Sequence, residues 1–253
     1  MENIINIEGK VCIITGVGKG IGYETAIAFK NQGARLGLIT RNEADLNKLL
    51  KVLNADDEDI YFQVGDVSDE ATVINFISNV FNKFQRIDVL VNNAGIRFRK
   101  EFLKVEYQEW QNIINVNAGS VFLFCREVGK YMVSQKSGSI INIISIIGTL
   151  GLPELSIYGA SKGAVLSLTK SLALEWSKFE VRVNAIAPGF CQTSYTESFK
   201  KNKQLYDFTL ERIPMKKWGM PIDVSNTCLY LASNMSSYVT GEVISVDGGW
   251  SAW

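Results

Sequence analysis

The chain has 253 residues, of which 47% are hydrophobic and 21% are charged, and these proportions exclude wholesale disorder. Its 26 basic and 26 acidic residues balance, so charge favours neither nucleic acid nor an anionic membrane as a partner. Histidine is absent, which excludes Ser-His-Asp and Cys-His nucleophiles and histidine-ligated zinc, and we expect no metal.

No segment of the sequence predicts export or a membrane span. The first residues lack the basic start and the long apolar run of a signal peptide. The most apolar stretch, 140–152, contains polar residues and is shorter than the roughly 20 residues that cross a bilayer. Because Cys12, Cys125, Cys191 and Cys228 form no C-x-x-C pair, we expect reduced, mostly buried thiols in a cytoplasmic protein.

Short β-branched runs alternate with longer segments of helical periodicity along the whole chain. The runs are evenly apolar, which favours a parallel sheet covered by helices on both faces. We therefore predict an α/β fold with a doubly wound sheet, formed by a single domain over 1–253. The predicted strands are 10–15, 35–40, 60–64, 89–92, 140–145, 181–187 and 243–246, and the predicted helices lie near 20–31, 43–54, 69–84, 107–134, 158–178 and 221–233.

A glycine-rich turn, TGVGKGIG at 15–22, joins the first predicted strand to the first helix. Glycines let the backbone approach a pyrophosphate, whose charge then meets the N-terminus of the helix. An ATP-binding P-loop needs Ser or Thr after its Gly-Lys pair, whereas Gly20 follows Lys19 here. The turn therefore favours a dinucleotide over ATP.

The second predicted strand ends at Thr40, where many NAD-binding sites place an acidic residue on the ribose. This chain has Arg41 and Asn42 next, and Lys19 lies in the glycine turn. Two cations without a carboxylate suit a 2′-phosphate, so NADP(H) is the expected cofactor, with NAD(H) as the alternative.

Candidate acid–base residues come later in the chain. Tyr158 and Lys162 are four residues apart and share one face of a predicted helix. A nearby ammonium lowers a phenol pKa, which makes this pair the strongest proton-transfer candidate in a chain without histidine. Ser145 ends an apolar strand at the crevice edge of the sheet, and Asn117 is a polar residue within an apolar helix. Each of these residues taken alone is more often structural.

The polar stretch 191–204 follows a predicted strand and has no clear apolar period. Loops at the carboxyl ends of parallel strands form the ligand crevice in folds of this kind. We therefore expect residues 190–215 to form a substrate lid, the alternative being an ordinary surface loop.

Taken together, these features resemble the short-chain dehydrogenase/reductase family over essentially the whole chain. The resemblance implies a Rossmann-type three-layer sandwich with a seven-stranded parallel sheet. It also implies hydride transfer between a nicotinamide and a carbonyl or secondary alcohol. The matching pieces, in chain order, are TGVGKGIG (15–22), NNAG (92–95), Asn117, Ser145, YGASK (158–162), NAIAPGFCQT (184–193) and VDGG (246–249).

The same resemblance implies a role for each matching residue. Tyr158 would protonate the carbonyl oxygen, and Lys162 would lower the pKa of Tyr158 and hold the nicotinamide ribose. Ser145 would polarise the substrate, and Asn117 would anchor a water in a proton relay. The expected cofactor contacts are Gly16, Gly18, Lys19, Gly20, Ile21, Gly22, Thr40, Arg41, Asn42, Asp66, Val67, Asn93, Ala94, Gly95, Tyr158, Lys162, Pro188, Gly189 and Thr193.

Two branches of the family resemble the chain. The basic segment 97–100 after NNAG is similar to the gluconate 5-dehydrogenase-like enzymes, in which case Arg99 would hold a substrate carboxylate beside Ser145 and Tyr158. The 3-oxoacyl-carrier-protein reductases match equally well, but they dock an acidic carrier protein on a basic surface. Lys136 and Lys178 provide only a thin surface of that kind.

The resemblance also implies a homo-oligomer, a tetramer or a dimer, assembled through the long helices and the C-terminal strand. The apolar tail 249–253 fits burial at such a contact, or against its own domain. A different class of function remains open: a dinucleotide-sensing binding protein on the same fold that performs no chemistry. The intact set of Asn117, Ser145, Tyr158 and Lys162 favours the enzyme.

Overall fold

The structure, a computed structural model, describes residues 5–54, 58–193 and 196–252. Seven parallel strands form one sheet in the order β3-β2-β1-β4-β5-β6-β7, which confirms the predicted seven-stranded α/β fold. The strands are β1 (Val11–Thr15), β2 (Arg35–Thr40), β3 (Ile60–Val64), β4 (Val89–Asn92), β5 (Gly138–Ile143), β6 (Val181–Pro188) and β7 (Val243–Val246).

Helices cover both faces of the sheet because successive side chains of each strand point to opposite faces. On β1, Cys12 belongs to the core beneath α1, α2 and α9, whereas Ile13 belongs to the core beneath α3, α5 and α6. The helices are α1 (Gly20–Asn31), α2 (Glu43–Val52), α3 (Glu70–Phe84), α4 (Tyr107–Ile114), α5 (Ser120–Gln135), α6 (Ser156–Trp176), α7 (Thr196–Lys200), α8 (Lys203–Arg212) and α9 (Pro221–Ala232). None of the helices in the described part of the chain has the length and apolar character to cross a membrane.

The strand order reverses direction between β1 and its neighbour β4. In doubly wound sheets the ligand crevice opens at this point, beyond the carboxyl ends of the strands. The glycine turn after β1 and the NNAG segment after β4 therefore flank the same crevice.

Three predicted elements differ from the structure. Strand β5 covers Gly138–Ile143 rather than 140–145, because Ser145 begins a short 3-10 turn over Ile146–Gly148. The helix predicted over 107–134 is divided into α4 and α5 by a π-helical segment, Asn115–Gly119. The stretch 191–204 contains α7 and the start of α8; both helices are short, and α8 is mostly polar. Ser194 and Tyr195 of the predicted lid lie outside the described residues.

Candidate active site

The glycine turn after β1 is held in a conformation that side chains would disrupt. Gly16 has a φ of +70°, and a Cβ there would lie 2.8 Å from the Cα of Ala94. A Cβ on Gly22 would lie 2.5 Å from the carbonyl oxygen of Gly16. The turn can therefore lie close against the NNAG segment, and α1 begins at Gly20 with its N-terminus at the crevice.

The NNAG segment braces this turn through hydrogen bonds. The Thr15 hydroxyl accepts from the backbone N–H groups of Asn93 and Ala94 at 3.0 and 2.9 Å. The Asn93 side-chain amide donates to the carbonyl oxygens of Thr15 and Gly16, each at 3.0 Å. These bonds tie the ends of β1 and β4 together and fix the floor of the crevice.

A cavity of about 620 Å³ extends from the glycine turn along the ends of β2, β3 and β4. This cavity fits an elongated dinucleotide. It has a glycine-lined floor, a helix N-terminus and, at one end, the cations Lys19 and Arg41. Fourteen residues predicted to contact the cofactor line this cavity: Gly16, Gly18, Lys19, Gly20, Ile21, Thr40, Arg41, Asn42, Asp66, Val67, Asn93, Ala94, Gly95 and Thr193. Gly22 instead packs beneath the turn, and Pro188 and Gly189 line the adjoining cavity.

Acidic groups lie beside the cations at the ribose end of this cavity. An Arg41 Nη1 atom lies 3.7 Å from Asp66 Oδ2. Burial raises the pKa of Asp66, but hydrogen bonds from Ser68 and the charge of Arg41 outweigh it and lower this pKa overall. Asp45 also lines the cavity, and a Cβ on Gly18 would lie 3.4 Å from its Oδ2. The sequence prediction missed Asp45, although its place in the first turn of α2 could have indicated it.

Asn117 joins the segment after β4 to α6. It is fully buried within the π-helical segment, and its Oδ1 accepts from the Ile96 N–H at 2.7 Å. Its Nδ2 donates to the Ile96 carbonyl and to the Ser161 hydroxyl, each at 3.0 Å. The Ser161 hydroxyl in turn donates to the backbone carbonyl of Tyr158 at 2.7 Å. Asn117 therefore positions the turn of α6 that carries Tyr158.

Lys162 lies one turn further along α6 and is buried beneath the crevice. Its ammonium donates to the carbonyl oxygen of Ile143 at 2.8 Å, and a Cβ on Gly95 would lie 3.4 Å from the same nitrogen. Burial lowers the pKa of Lys162 to about 8. The side chain therefore bridges the end of β5 and the NNAG segment.

Tyr158 differs from the sequence prediction in the direction of its pKa. Burial raises the pKa of Tyr158, opposed by the positive charge of Arg97 and by a hydrogen bond with Ser145. The sequence prediction was that Lys162 lowers the pKa of Tyr158. In the structure the lowering influences are instead the charge of Arg97 and the hydrogen bond with Ser145. The physical reason is that the cavity walls withdraw water from the phenol, and this burial outweighs the influences that lower its pKa.

A second cavity, of about 280 Å³, adjoins the first and shares Ile21, Asn93, Gly95, Ile96 and Thr193 with it. Its polar wall carries Ser145, Tyr158 and Lys162, so three of the four predicted catalytic side chains face one space. Asn117 lies behind this wall rather than in it. The apolar part of the lining is formed by Ile21, Ile96, Ile143, Ile144, Ile146, Ile147, Leu152, Leu155, Pro188 and Phe190.

The arginine that lines the second cavity is Arg97. Arg99, the predicted carboxylate ligand, is not in this lining; its Nε lies 2.6 Å from Glu154 Oε2. Glu154 provides a counter-charge for Arg99 outside this lining. The basic segment signalled a cation at the crevice, but the spacing alone did not identify which one.

Comparisons with known proteins place the chain among enzymes. A family model described as enoyl-(acyl carrier protein) reductase matches residues 16–251. Over 245 residues the chain is 39% identical to a 3-oxoacyl-(acyl-carrier-protein) reductase of Thermotoga maritima, covering 97% of this chain and 99% of that protein. Over 251 residues it is 34% identical to a 2-dehydro-3-deoxy-D-gluconate 5-dehydrogenase of Dickeya dadantii, covering 99% and 98%.

A solved structure agrees with these sequence relatives. It is a gluconate 5-dehydrogenase from Burkholderia cenocepacia in complex with NADP and tartrate, and it matches with a TM-score of 0.93 at 31% sequence identity. The match covers 99% of this chain and 98% of that one. The agreement therefore extends over the sheet, both helical layers and the crevice.

Proposed function

The chain belongs to the short-chain dehydrogenase/reductase family of oxidoreductases, and on that premise we propose that it transfers hydride between NADP(H) and a carbonyl or secondary alcohol. The observation that carries the proposal is the meeting of Ser145, Tyr158 and Lys162 in one cavity that adjoins the dinucleotide-shaped cavity. A site that only binds a dinucleotide has no need of hydroxyl groups at that junction.

The chain's own residues supply the proton chemistry of this reaction. When bound, NADP(H) gives hydride to the carbonyl carbon or takes it from the alcohol carbon. The Ser145 hydroxyl donates a hydrogen bond to the substrate oxygen, and Tyr158 donates the proton that this oxygen gains in reduction. Burial raises the pKa of Tyr158, so the phenol carries its proton in the free site.

Two further residues hold this pair in place. Lys162 lines the second cavity next to the dinucleotide-shaped one, where its ammonium would hold a ribose hydroxyl of the bound cofactor. Asn117 fixes the turn that carries Tyr158 through Ser161. We also propose the water-anchoring role that the family assigns to Asn117. Its three side-chain hydrogen bonds, to the Ile96 N–H, the Ile96 carbonyl and the Ser161 hydroxyl, support the positioning role.

The cofactor preference for NADP(H) rests on Arg41 and Lys19, which line the first cavity with no carboxylate at the end of β2. The Burkholderia cenocepacia relative with bound NADP supports the same preference. Asp45 lines the same cavity and adds negative charge, so we propose a preference for NADP(H) with NAD(H) also accepted.

The relatives suggest two substrate classes, 3-oxoacyl thioesters and keto-sugar acids. Lys136 and Lys178 come just before β5 and β6, at the edge of the sheet opposite the crevice. They are therefore poorly placed to dock an acidic carrier protein at the active-site mouth. This favours a free small-molecule substrate over a carrier-bound one.

The proposal extends to the lid, the assembly and the cellular location. Phe190, Cys191 and Thr193 line the second cavity, which supports a lid role for 190–215.

Leu174 on α6 is 81% exposed and Phe122 on α5 is 49% exposed, which supports a homo-oligomer assembled through these helices, with a tetramer as the expected form. Free thiols on all four cysteines support a reducing, cytoplasmic location.

The test is NADPH oxidation by the wild-type protein with a panel of 3-oxoacyl thioesters, keto-sugar acids, oxo acids and simple ketones. We expect turnover with at least one class and faster turnover with NADPH than with NADH. Tight NADPH binding without turnover on any member of the panel would contradict the proposal and favour the binding-protein alternative.

A further inference from the structure

The walls of the second cavity are unusually apolar for a site that would hold a polyhydroxylated sugar acid. The described lining contains ten apolar side chains that offer no hydrogen bond to a hydroxyl group. Burying several sugar hydroxyls against them would leave those groups without partners, at a cost in affinity for each one. The cavity therefore suits a substrate whose body is largely apolar.

Two cations are among the described residues that line this cavity, Lys162 and Arg97. The Lys162 ammonium is buried and donates to the Ile143 carbonyl, beneath the nicotinamide end. Arg97 is exposed and extends along the wall that also carries Tyr158. Arg97 and Tyr158 line the same cavity, and the positive charge of Arg97 lowers the pKa of Tyr158 against the larger effect of burial.

The backbone that carries Arg97 is fixed on both sides. The preceding residue, Ile96, has both its N–H and its carbonyl bound by the buried side chain of Asn117. Three residues further on, the Lys100 N–H donates to the carbonyl oxygen of Glu154 at 2.9 Å. Arg97 is thus presented to the cavity from a rigid segment, which reduces the cost of ordering it around a ligand.

We propose that Arg97 binds a substrate carboxylate, and that the substrate is an oxo acid with its carboxylate close to the reacting carbonyl and an apolar remainder. The carbonyl oxygen lies at Ser145 and Tyr158, the carboxylate meets the planar guanidinium, and the remainder packs on the apolar wall. This inference rests on the proposed function and narrows it: a polyol acid and a carrier-bound thioester both fit the cavity less well.

The test compares an oxo acid with its methyl ester, using 4-methyl-2-oxopentanoate and methyl 4-methyl-2-oxopentanoate as probes with NADPH. We expect the wild-type protein to prefer the acid in kcat/KM. Arg97→Met should lower kcat/KM for the acid about 10- to 100-fold, mainly through KM, since a charged hydrogen-bonded contact is lost. The ester should be far less affected, and Arg97→Lys should restore part of the loss.

Three further measurements make the result specific. The dissociation constant for NADPH should stay unchanged in Arg97→Met. The control variant is Lys104→Met, which removes an exposed lysine paired with Glu101. Without Arg97 the pKa of Tyr158 should rise. The alkaline limb of the pH–rate profile for ester reduction should therefore move to higher pH. Arg99→Met distinguishes the two arginines, and an equal or larger loss there would overturn the assignment.

The failure of this inference is distinguishable from the failure of the proposed function. Equal losses for acid and ester in Arg97→Met, or no wild-type preference for the acid, would overturn the role of Arg97 while leaving hydride transfer intact. If no carbonyl compound is reduced, the proposed function fails. The role of Arg97 is then tested by titrating the oxo acid into the protein–NADPH complex, where equal affinity in wild type and Arg97→Met overturns it.

Discussion

At the scale of single residues, burial sets the direction of the pKa shifts of Tyr158 and Lys162, whereas hydrogen bonds and charge set that of Asp66. The spacing of Tyr158 and Lys162 could be recognised in the sequence because residues four apart share a helix face. The direction of the Tyr158 pKa could not, because it depends on how much water the cavity walls remove. The sequence also could not show that Arg97 lies in the same cavity as the phenol, because that depends on how the segment after β4 is held.

Lys162 is expected to cost stability in exchange for function. Burial lowers its pKa from 10.5 to about 8, so holding it charged at pH 7 costs up to about 3 kcal/mol. Lys162→Met should therefore abolish turnover yet raise the free energy of unfolding at pH 7. The gain is reduced by about 1 kcal/mol because the Ile143 carbonyl loses its donor.

The pH dependence of this gain has a definite sign. Between pH 8 and 10.5 the folded wild-type protein releases the Lys162 proton while the unfolded chain keeps it, so wild-type stability rises with pH. The advantage of Lys162→Met should therefore shrink across this window in urea unfolding measurements. Lys170→Met, at an exposed position on the same helix, is the control. A variant less stable than wild type at every pH would contradict this account.

At the scale of elements, the sequence predicted where the helices and strands lie better than how they end. Helical periodicity runs unbroken through 107–134, so it could not reveal the π-helical segment that turns Asn117 inward. Strand β5 was predicted two residues too far along the chain because Ile144 and Ser145 continue its apolar run, although Ser145 caps a 3-10 turn. The corner between β2 and α2 was predictable, because Arg41 and Asn42 directly follow an apolar strand that ends at Thr40.

This β2–α2 corner is expected to set the cofactor preference. Arg41→Ala should weaken NADPH about 10- to 100-fold, through loss of a charged contact to the 2′-phosphate, and should change NADH much less. Fluorescence titration with each cofactor measures both affinities. Arg35→Ala is a matched control, since Arg35 is a partly exposed arginine at the other end of β2 and pairs with Asp59. Equal weakening of both cofactors would refute the role given to Arg41.

At the scale of the whole molecule, the alternation of short apolar runs with segments of helical periodicity was sufficient to predict the sheet and its two helical layers. They were not sufficient for 190–215, where α7 is five residues long and α8 presents a mostly polar surface. This segment is secured by aromatic packing: Phe190 lies 5.3 Å from Trp218 and 5.0 Å from Trp250 between ring centroids. Trp250 is buried in this cluster, so this residue of the tail 249–253 covers its own chain, and Trp253 lies outside the described residues.

The exposed apolar side chains of α5 and α6 are expected to lie in contacts between copies of the chain. Leu174→Glu should reduce the number of subunits measured by light scattering after size-exclusion chromatography, because an unpaired charge at a contact loses its water. Val52→Glu is the control, since Val52 is 54% exposed on α2, on the opposite face of the sheet. A wild-type protein that is monomeric, or an unchanged assembly in Leu174→Glu, would contradict the proposed contact.

The most direct test of the account is the turnover of Tyr158→Phe with a carbonyl compound that the wild-type protein reduces. The substitution keeps the ring and its packing but removes the hydroxyl that would carry the proton. We expect kcat to fall about 100- to 10,000-fold, the range for loss of a positioned acid–base group, while the dissociation constant for NADPH is unchanged. Turnover within the wild-type range would contradict the central claim that the buried Tyr158 phenol donates the proton that accompanies hydride transfer.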